Sequence, residues 1–66
     1  MSNFVKQWAS IDMARVESEV ISHIIKVCRE NNVTFYHLHD SYTLEGEPDD
    51  VKRVSYLLHE LFMERY

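Results

Sequence analysis

Residues 33–46 read Val33-Thr34-Phe35-Tyr36-His37-Leu38-His39-Asp40-Ser41-Tyr42-Thr43-Leu44-Glu45-Gly46. β-Branched and aromatic side chains crowd both halves of this run, and the polar pair His39-Asp40 divides them. The pattern predicts a β-hairpin with strands at 33–38 and 41–45. A two-residue turn at His39-Asp40 sets Phe35 opposite Leu44 and His37 opposite Tyr42. Val33, Phe35, His37, Tyr42 and Leu44 then share one face, and Thr34, Tyr36, Leu38, Ser41, Thr43 and Glu45 share the other. His-Asp is not among the favoured hairpin turns. A slip of one residue would exchange every facing.

Downstream of the hairpin, residues 48–65 predict a helix. Pro48 suits the first helical position, and Asp49 and Asp50 sit where the helix dipole favours negative charge. Val51, Val54, Leu57, Leu58, Leu61 and Phe62 form its apolar face, with Tyr56, His59 and Met63 to one side. Upstream, residues 12–31 predict another. Met13, Val16, Val20, Ile21, Ile24, Val27 and Cys28 recur at helical spacing. Asn31-Asn32 supplies a terminus, because Asn tolerates the left-handed backbone that ends helices. Glu17 interrupts the stripe and is expected at the edge of the core. In residues 1–11, Phe4, Trp8 and Ile11 stand at i, i+4 and i+7, which predicts a helical arm. The arm either extends the first helix with its apolar face turned nearly opposite the main stripe, or bends near Ser10-Ile11-Asp12, where Ser10 or Asp12 caps a new helix; its aromatic face then either folds back onto the chain's own core or grips a partner.

The expected fold class is therefore α+β: one domain over 1–66, of order α-β-β-α, with two helices packed on a two-stranded antiparallel hairpin. A lone two-stranded ribbon is marginal in water and leaves both edges open. Completion by dimerisation is the expectation, through hairpin edges joined into a four-stranded sheet or through helices packed across a two-fold.

Composition narrows the function. The chain has 66 residues and a net charge of −4. An acidic balance argues against nucleic acid, whose binding rests on a basic footprint; such a module would need Lys6, Arg15, Lys26 and Arg29 on one surface. Cys28 is the single cysteine, so no disulfide forms within the chain. A lone thiol fits a reducing, cytoplasmic setting and packs in a core more often than it reacts. No run reaches membrane-spanning length, and Met1-Ser2-Asn3 lacks a signal-peptide pattern. One glycine rules out the usual phosphate-cradling loops. No nucleophile-base motif is visible, and no cofactor is expected.

The residue group closest to a site is His37-Leu38-His39-Asp40. Side chains two apart on a strand point the same way, so His37 and His39 are candidate metal ligands, with Asp40 as a third ligand or an orienting group. The turn at His39-Asp40 works against that alignment. Glu45, Glu47, Asp49 and Asp50 form an acidic run best read as a helix start. Tyr42-Thr43-Leu44-Glu45-Gly46, followed by Val51, Val54, Leu57 and Leu58, resembles the strand-glycine-helix unit of small RNA-binding domains over less than half the chain. The loop of spaced glycines and basic residues that marks those domains is missing, so the resemblance assigns no functional residue.

The expectation is a non-enzymatic protein-binding regulator, an adaptor or inhibitor such as the accessory proteins of phages, acting as a homodimer. Phe4, Trp8 and Ile11 are its candidate partner or dimer contacts, followed by Tyr36 and Leu38, because aromatic anchors dominate interfaces. The alternatives are a nucleic-acid-binding module and a small metal protein using His37 and His39.

Overall fold

Leu44, wholly buried, marks the centre of a three-stranded sheet. The computed structural model describes residues 3–65. Along the chain these form β1 (Val5–Ser10), a 3-10 turn (Met13–Arg15), α1 (Ser18–Glu30), β2 (Thr34–His37), β3 (Ser41–Gly46) and α2 (Pro48–Arg65). The sheet is antiparallel in the order β1-β3-β2. Both helices lie on one side of it, and the buried apolar residues make one core.

The hairpin register is the expected one. Phe35 pairs with Leu44 and His37 with Tyr42. The Leu38 N–H donates to the Ser41 carbonyl at 2.9 Å, closing the two-residue turn. Facing follows from the register. Val33, Tyr42 and Leu44 are buried beneath the helices and Phe35 packs against them, while Tyr36 and Leu38 stand exposed on the other side.

Residues 3–11 depart from expectation. Val5–Ser10 is not a helical arm but β1, paired with β3 along its whole length. Met1 and Ser2, the start of the expected arm, lie outside the described residues. The two-stranded hairpin is thus corrected to a three-stranded sheet. The ribbon does need a further strand, but the chain supplies it from its own N-terminal segment, and no second copy is needed for that strand. A spacing of four, as between Phe4 and Trp8, satisfies a strand's period of two as well as a helix's. Only Ile11, seven positions on, argues for a helix, and Ile11 lies past the end of the strand and packs on the core.

The first expected helix also divides. Met13 and Val16 are buried, but they precede α1, in a 3-10 turn and the extended link after it. Glu17 occupies the N-cap of α1 with no side-chain cap bond, so it does not interrupt the apolar stripe of the helix. Val20, Ile24 and Cys28 carry that stripe. The far end closes at Asn31-Asn32, as expected. Asn32 has φ 59°. The Val33 N–H reaches the Cys28 carbonyl at 2.8 Å and the Asn32 N–H reaches that of Arg29 at 3.2 Å, the paired bonds of a Schellman terminus. A left-handed backbone penalises a β-branched side chain, so Asn32→Val should lower unfolding stability by about 1–2 kcal/mol while Asn32→Gly leaves it unchanged or raised. Urea denaturation of the two variants checks this.

Gly46 ends β3 for reasons of space. A Cβ there would meet the Asn32 carbonyl oxygen at 3.1 Å and Val33 Cγ2 at 3.4 Å, so the missing side chain eases the close approach of the helix terminus to the strand end. Pro48 then opens α2 with Asp49 and Asp50 in its first turn. Arg53 ties that start to the end of α1, donating to Asp50 at 3.1 Å and to Asn31 Oδ1 at 3.2 Å.

Candidate functional site

With both helices on one side, the other side of the sheet is bare. The register arranges it in rows. Trp8 of β1 stands beside Thr43 of β3, and Thr43 beside Tyr36 of β2. On one side of this row lie Lys6, Glu45 and Thr34; on the other lie Ser10 and Ser41, with Leu38 across the turn bond. Trp8 is 66 % exposed, Tyr36 52 % and Leu38 67 %, too much large apolar surface in one place to pass as scattered residues. Trp8, Tyr36 and Leu38 line a shallow cleft of about 560 Å³, with Thr43 and Ser41 among its walls.

Electrostatics on this face are balanced. Glu45 receives the Tyr36 hydroxyl at 3.3 Å and lies 3.8 Å from the Lys6 ammonium. The carboxylate thereby spans all three strands and steadies the Tyr36 ring from one end. The face therefore offers aromatic and aliphatic surface, the hydroxyls of Thr34, Tyr36, Thr43, Ser10 and Ser41, and one neutralised ion pair. That is the composition of a protein-contact patch, apolar at its centre and polar at its rim.

The structure brings Trp8, Tyr36 and Leu38 together. It does not bring Ile11 to them, because Ile11 follows the strand and turns into the core. Phe4, just ahead of β1, is 61 % exposed. Thr43, Ser41 and Glu45 belong to the surface as well. The hairpin alternation already places all three on the face of Tyr36 and Leu38, but only β1 shows that Trp8 joins them.

The histidine candidates are dispersed. His37 lies on the helix-facing side of β2, its ring stacked 5.5 Å from Phe35. His39 and Asp40 form the turn, and their carbonyls accept the N–H groups of Ala14 and Ile11 at 3.2 and 3.1 Å. Among the described residues no three His, Cys, Asp or Glu side chains come together to hold a metal ion. Cys28 is buried, and burial pushes its thiol up to about 11. Its thiolate is scarce at neutral pH, which fits packing and not nucleophilic chemistry. The cations do not converge. Lys6 is on the bare face, while Lys26 and Arg29 are on α1, on the opposite side of the sheet. No helix among the described residues is long and apolar enough to cross a membrane.

Compared with protein-family profiles, curated proteins and solved structures, the chain finds no match.

Proposed function

We propose that this chain is a small non-enzymatic protein-binding regulator, an adaptor or inhibitor, that works as a homodimer and meets its target protein with the bare face of its sheet. One observation carries the reading: Trp8, Tyr36 and Leu38 stand exposed side by side on a surface that neither helix covers. Aromatic anchors surrounded by polar groups dominate protein interfaces. Here they rise from a hydrogen-bonded sheet, so little conformational entropy is lost when they are gripped.

Capture from the native host's lysate tests it, with three baits compared. The unmodified chain and Ile25→Ala, a control on the exposed side of α1, should hold the same protein. Tyr36→Ala/Leu38→Ala should lose it by at least about thirtyfold, the effect of removing a hot spot of about 2 kcal/mol. Capture that survives the double substitution contradicts the reading.

Base stacking on Trp8 and Tyr36 is the second reading, favoured by two rings on one sheet face. It requires affinity for a single-stranded oligonucleotide that falls steeply with salt. A flat or absent response removes it.

A further inference from the structure

We propose that two copies of this chain pair through the free edges of β1, antiparallel about a two-fold axis beside Trp8, so that two three-stranded sheets become one of six strands with a continuous bare face. The proposal rests on the homodimer reading above and gives it a geometry.

The hydrogen-bond parity of the sheet shows which backbone groups are free. The Leu38 N–H to Ser41 carbonyl bond makes Leu38 and Ser41 a bonded pair. In an antiparallel ladder bonded and non-bonded pairs alternate, so Ser41, Thr43 and Glu45 turn their backbone groups to β2. Tyr42, Leu44 and Gly46 turn theirs to β1, where Ala9, Gln7 and Val5 receive them. The Ile11 N–H to Asp40 carbonyl bond, 3.1 Å, continues the same alternation. Lys6, Trp8 and Ser10 therefore aim their N–H and C=O groups outward. Natural edge strands blunt such a row with proline, a bulge or several charges. β1 has no proline, pairs without interruption from Val5 to Ser10, and carries the single charge of Lys6. β2, at the other edge, is shorter, spanning Thr34–His37.

The flank above β1 is uncovered and carries large apolar side chains. Val5 is 39 % exposed although its parity turns it toward the helices. Gln7 Nε2 donates to Ser55 Oγ at 2.6 Å, which fixes α2 beside β1. Tyr56, His59 and Met63 follow at i, i+3 and i+7. Tyr56 is 64 % exposed and Met63 72 %, and His59 and Met63 share with Ala9 and Ile11 a cleft of about 430 Å³. This stripe and the edge of β1 make one continuous side of the molecule.

Geometry then selects a second copy as the occupant. α2 packs over both β1 and β3, which sets its axis about half a strand spacing inside β1. A two-fold between paired β1 strands lies about half a spacing outside. The two α2 axes thus approach to about 10 Å, twice the ~4.8 Å strand spacing, within the range of packed helices. Edge pairing and packing of the Tyr56-Met63 stripes occur together. The side is about 20 Å long at β1 and about 27 Å at α2. Two layers deep, with side-chain relief, it reaches the ~500 Å² per copy, ~1,000 Å² in all, that a specific interface needs.

Register follows from the same parity. Opposed residues must share a face, and like charges exclude Lys6 opposite Lys6 of the partner subunit. A pairing centred on Gln7 leaves Ser10 unpaired within the strand, and one centred on Ala9 leaves Lys6 unpaired. The pairing centred on Trp8 engages all three edge residues: Lys6 faces Ser10 of the partner subunit, and Trp8 faces Trp8 of the partner subunit. The two tryptophans then join the two bare faces into one.

Sedimentation and amide exchange on the full chain test this. The mass should be twice 7.9 kDa at high micromolar concentration. The amides of Lys6, Trp8 and Ser10 should exchange at least about tenfold faster on dilution, while those of Gln7 and Ala9, bonded to β3, stay unchanged. Lys6→Pro removes an N–H that the monomer does not use, so it should keep the helical signal and weaken association by at least about tenfold. If Lys6→Pro fails to fold, the alternating exchange of the unmodified chain still decides. A monomeric mass overturns the proposal together with the homodimer. A dimer whose protection does not alternate, or one that Lys6→Pro leaves intact, overturns the edge pairing and leaves the homodimer standing. Capture by the bare face is read separately, through Tyr36 and Leu38.

Discussion

Leu44→Ala is expected to remove a large share of the stability of the domain, about 2–5 kcal/mol. Leu44 is wholly buried, sits at the middle of the central strand, and is flanked by Gln7 on β1 and Phe35 on β2. Truncating it removes its own burial and opens a cavity beneath both helices, because a strand bonded on both sides cannot collapse inward. Such substitutions cost about 2–5 kcal/mol. A chain of this length has about 3–10 kcal/mol in total. The loss is therefore a large fraction of everything that holds the domain together. Leu38→Ala, the same change at a 67 % exposed position on the opposite face of the hairpin, should shift stability by no more than about 0.5 kcal/mol. Urea midpoints followed by circular dichroism compare the two. A larger shift for Leu38→Ala than for Leu44→Ala would mean that the faces of the hairpin are exchanged.

Alkali is expected to destabilise the chain progressively above pH 9. The Cys28 thiol, ordinarily near 9, is pushed up to about 11 by burial. Burial also raises Tyr42, and the charge that Cys28 gains adds to it. The folded state therefore keeps protons that the unfolded state releases. When the native form binds more protons, unfolding free energy falls as pH rises. The advantage is whole below pH 9, shrinks through the interval from 9 to 11, and is spent above it. For Cys28 alone the loss approaches about 2–3 kcal/mol, because each tenfold change in an acid dissociation constant is worth about 1.4 kcal/mol. Cys28→Ala removes the thiol's share and flattens the slope across that interval, at the cost of a small cavity. Denaturant midpoints measured from pH 7 to 11 on both proteins read the slope directly. A parallel slope in the two would show that the thiol is not responsible.

The hairpin was legible in the sequence because its signals agree. Alternation, turn length and the apolar character of Leu44 and Tyr42 all select one register, and Pro48, Asp49 and Asp50 announce α2 just after it. The C-terminus of α1 was legible because Asn32 can take a conformation that most residues resist. β1 was not, because its strand signal is weak on the side that matters. Val5, Gln7 and Ala9, the residues turned to the helices, are small, polar or half exposed. The large apolar residue of the strand, Trp8, points away from the core. No buried apolar alternation therefore marks the segment. The physical need was visible all the same, since a ribbon of two strands is insufficient by itself; the source of the missing strand was not. The candidate surface was legible in pieces. Tyr36 and Leu38 follow from the hairpin facing and Trp8 from its bulk and lack of a burial site, but their adjacency depends on the pairing of Trp8 with Thr43.

The surface itself can be followed one nucleus at a time. With the captured protein in hand, two-dimensional NMR of the isotopically labelled chain should show shifts concentrated at Trp8, including its indole N–H, and at Tyr36, Leu38 and Thr43, while the outward residues of α1 remain still. Shifts confined to the two helices, with the Trp8 indole unmoved, would contradict the central claim.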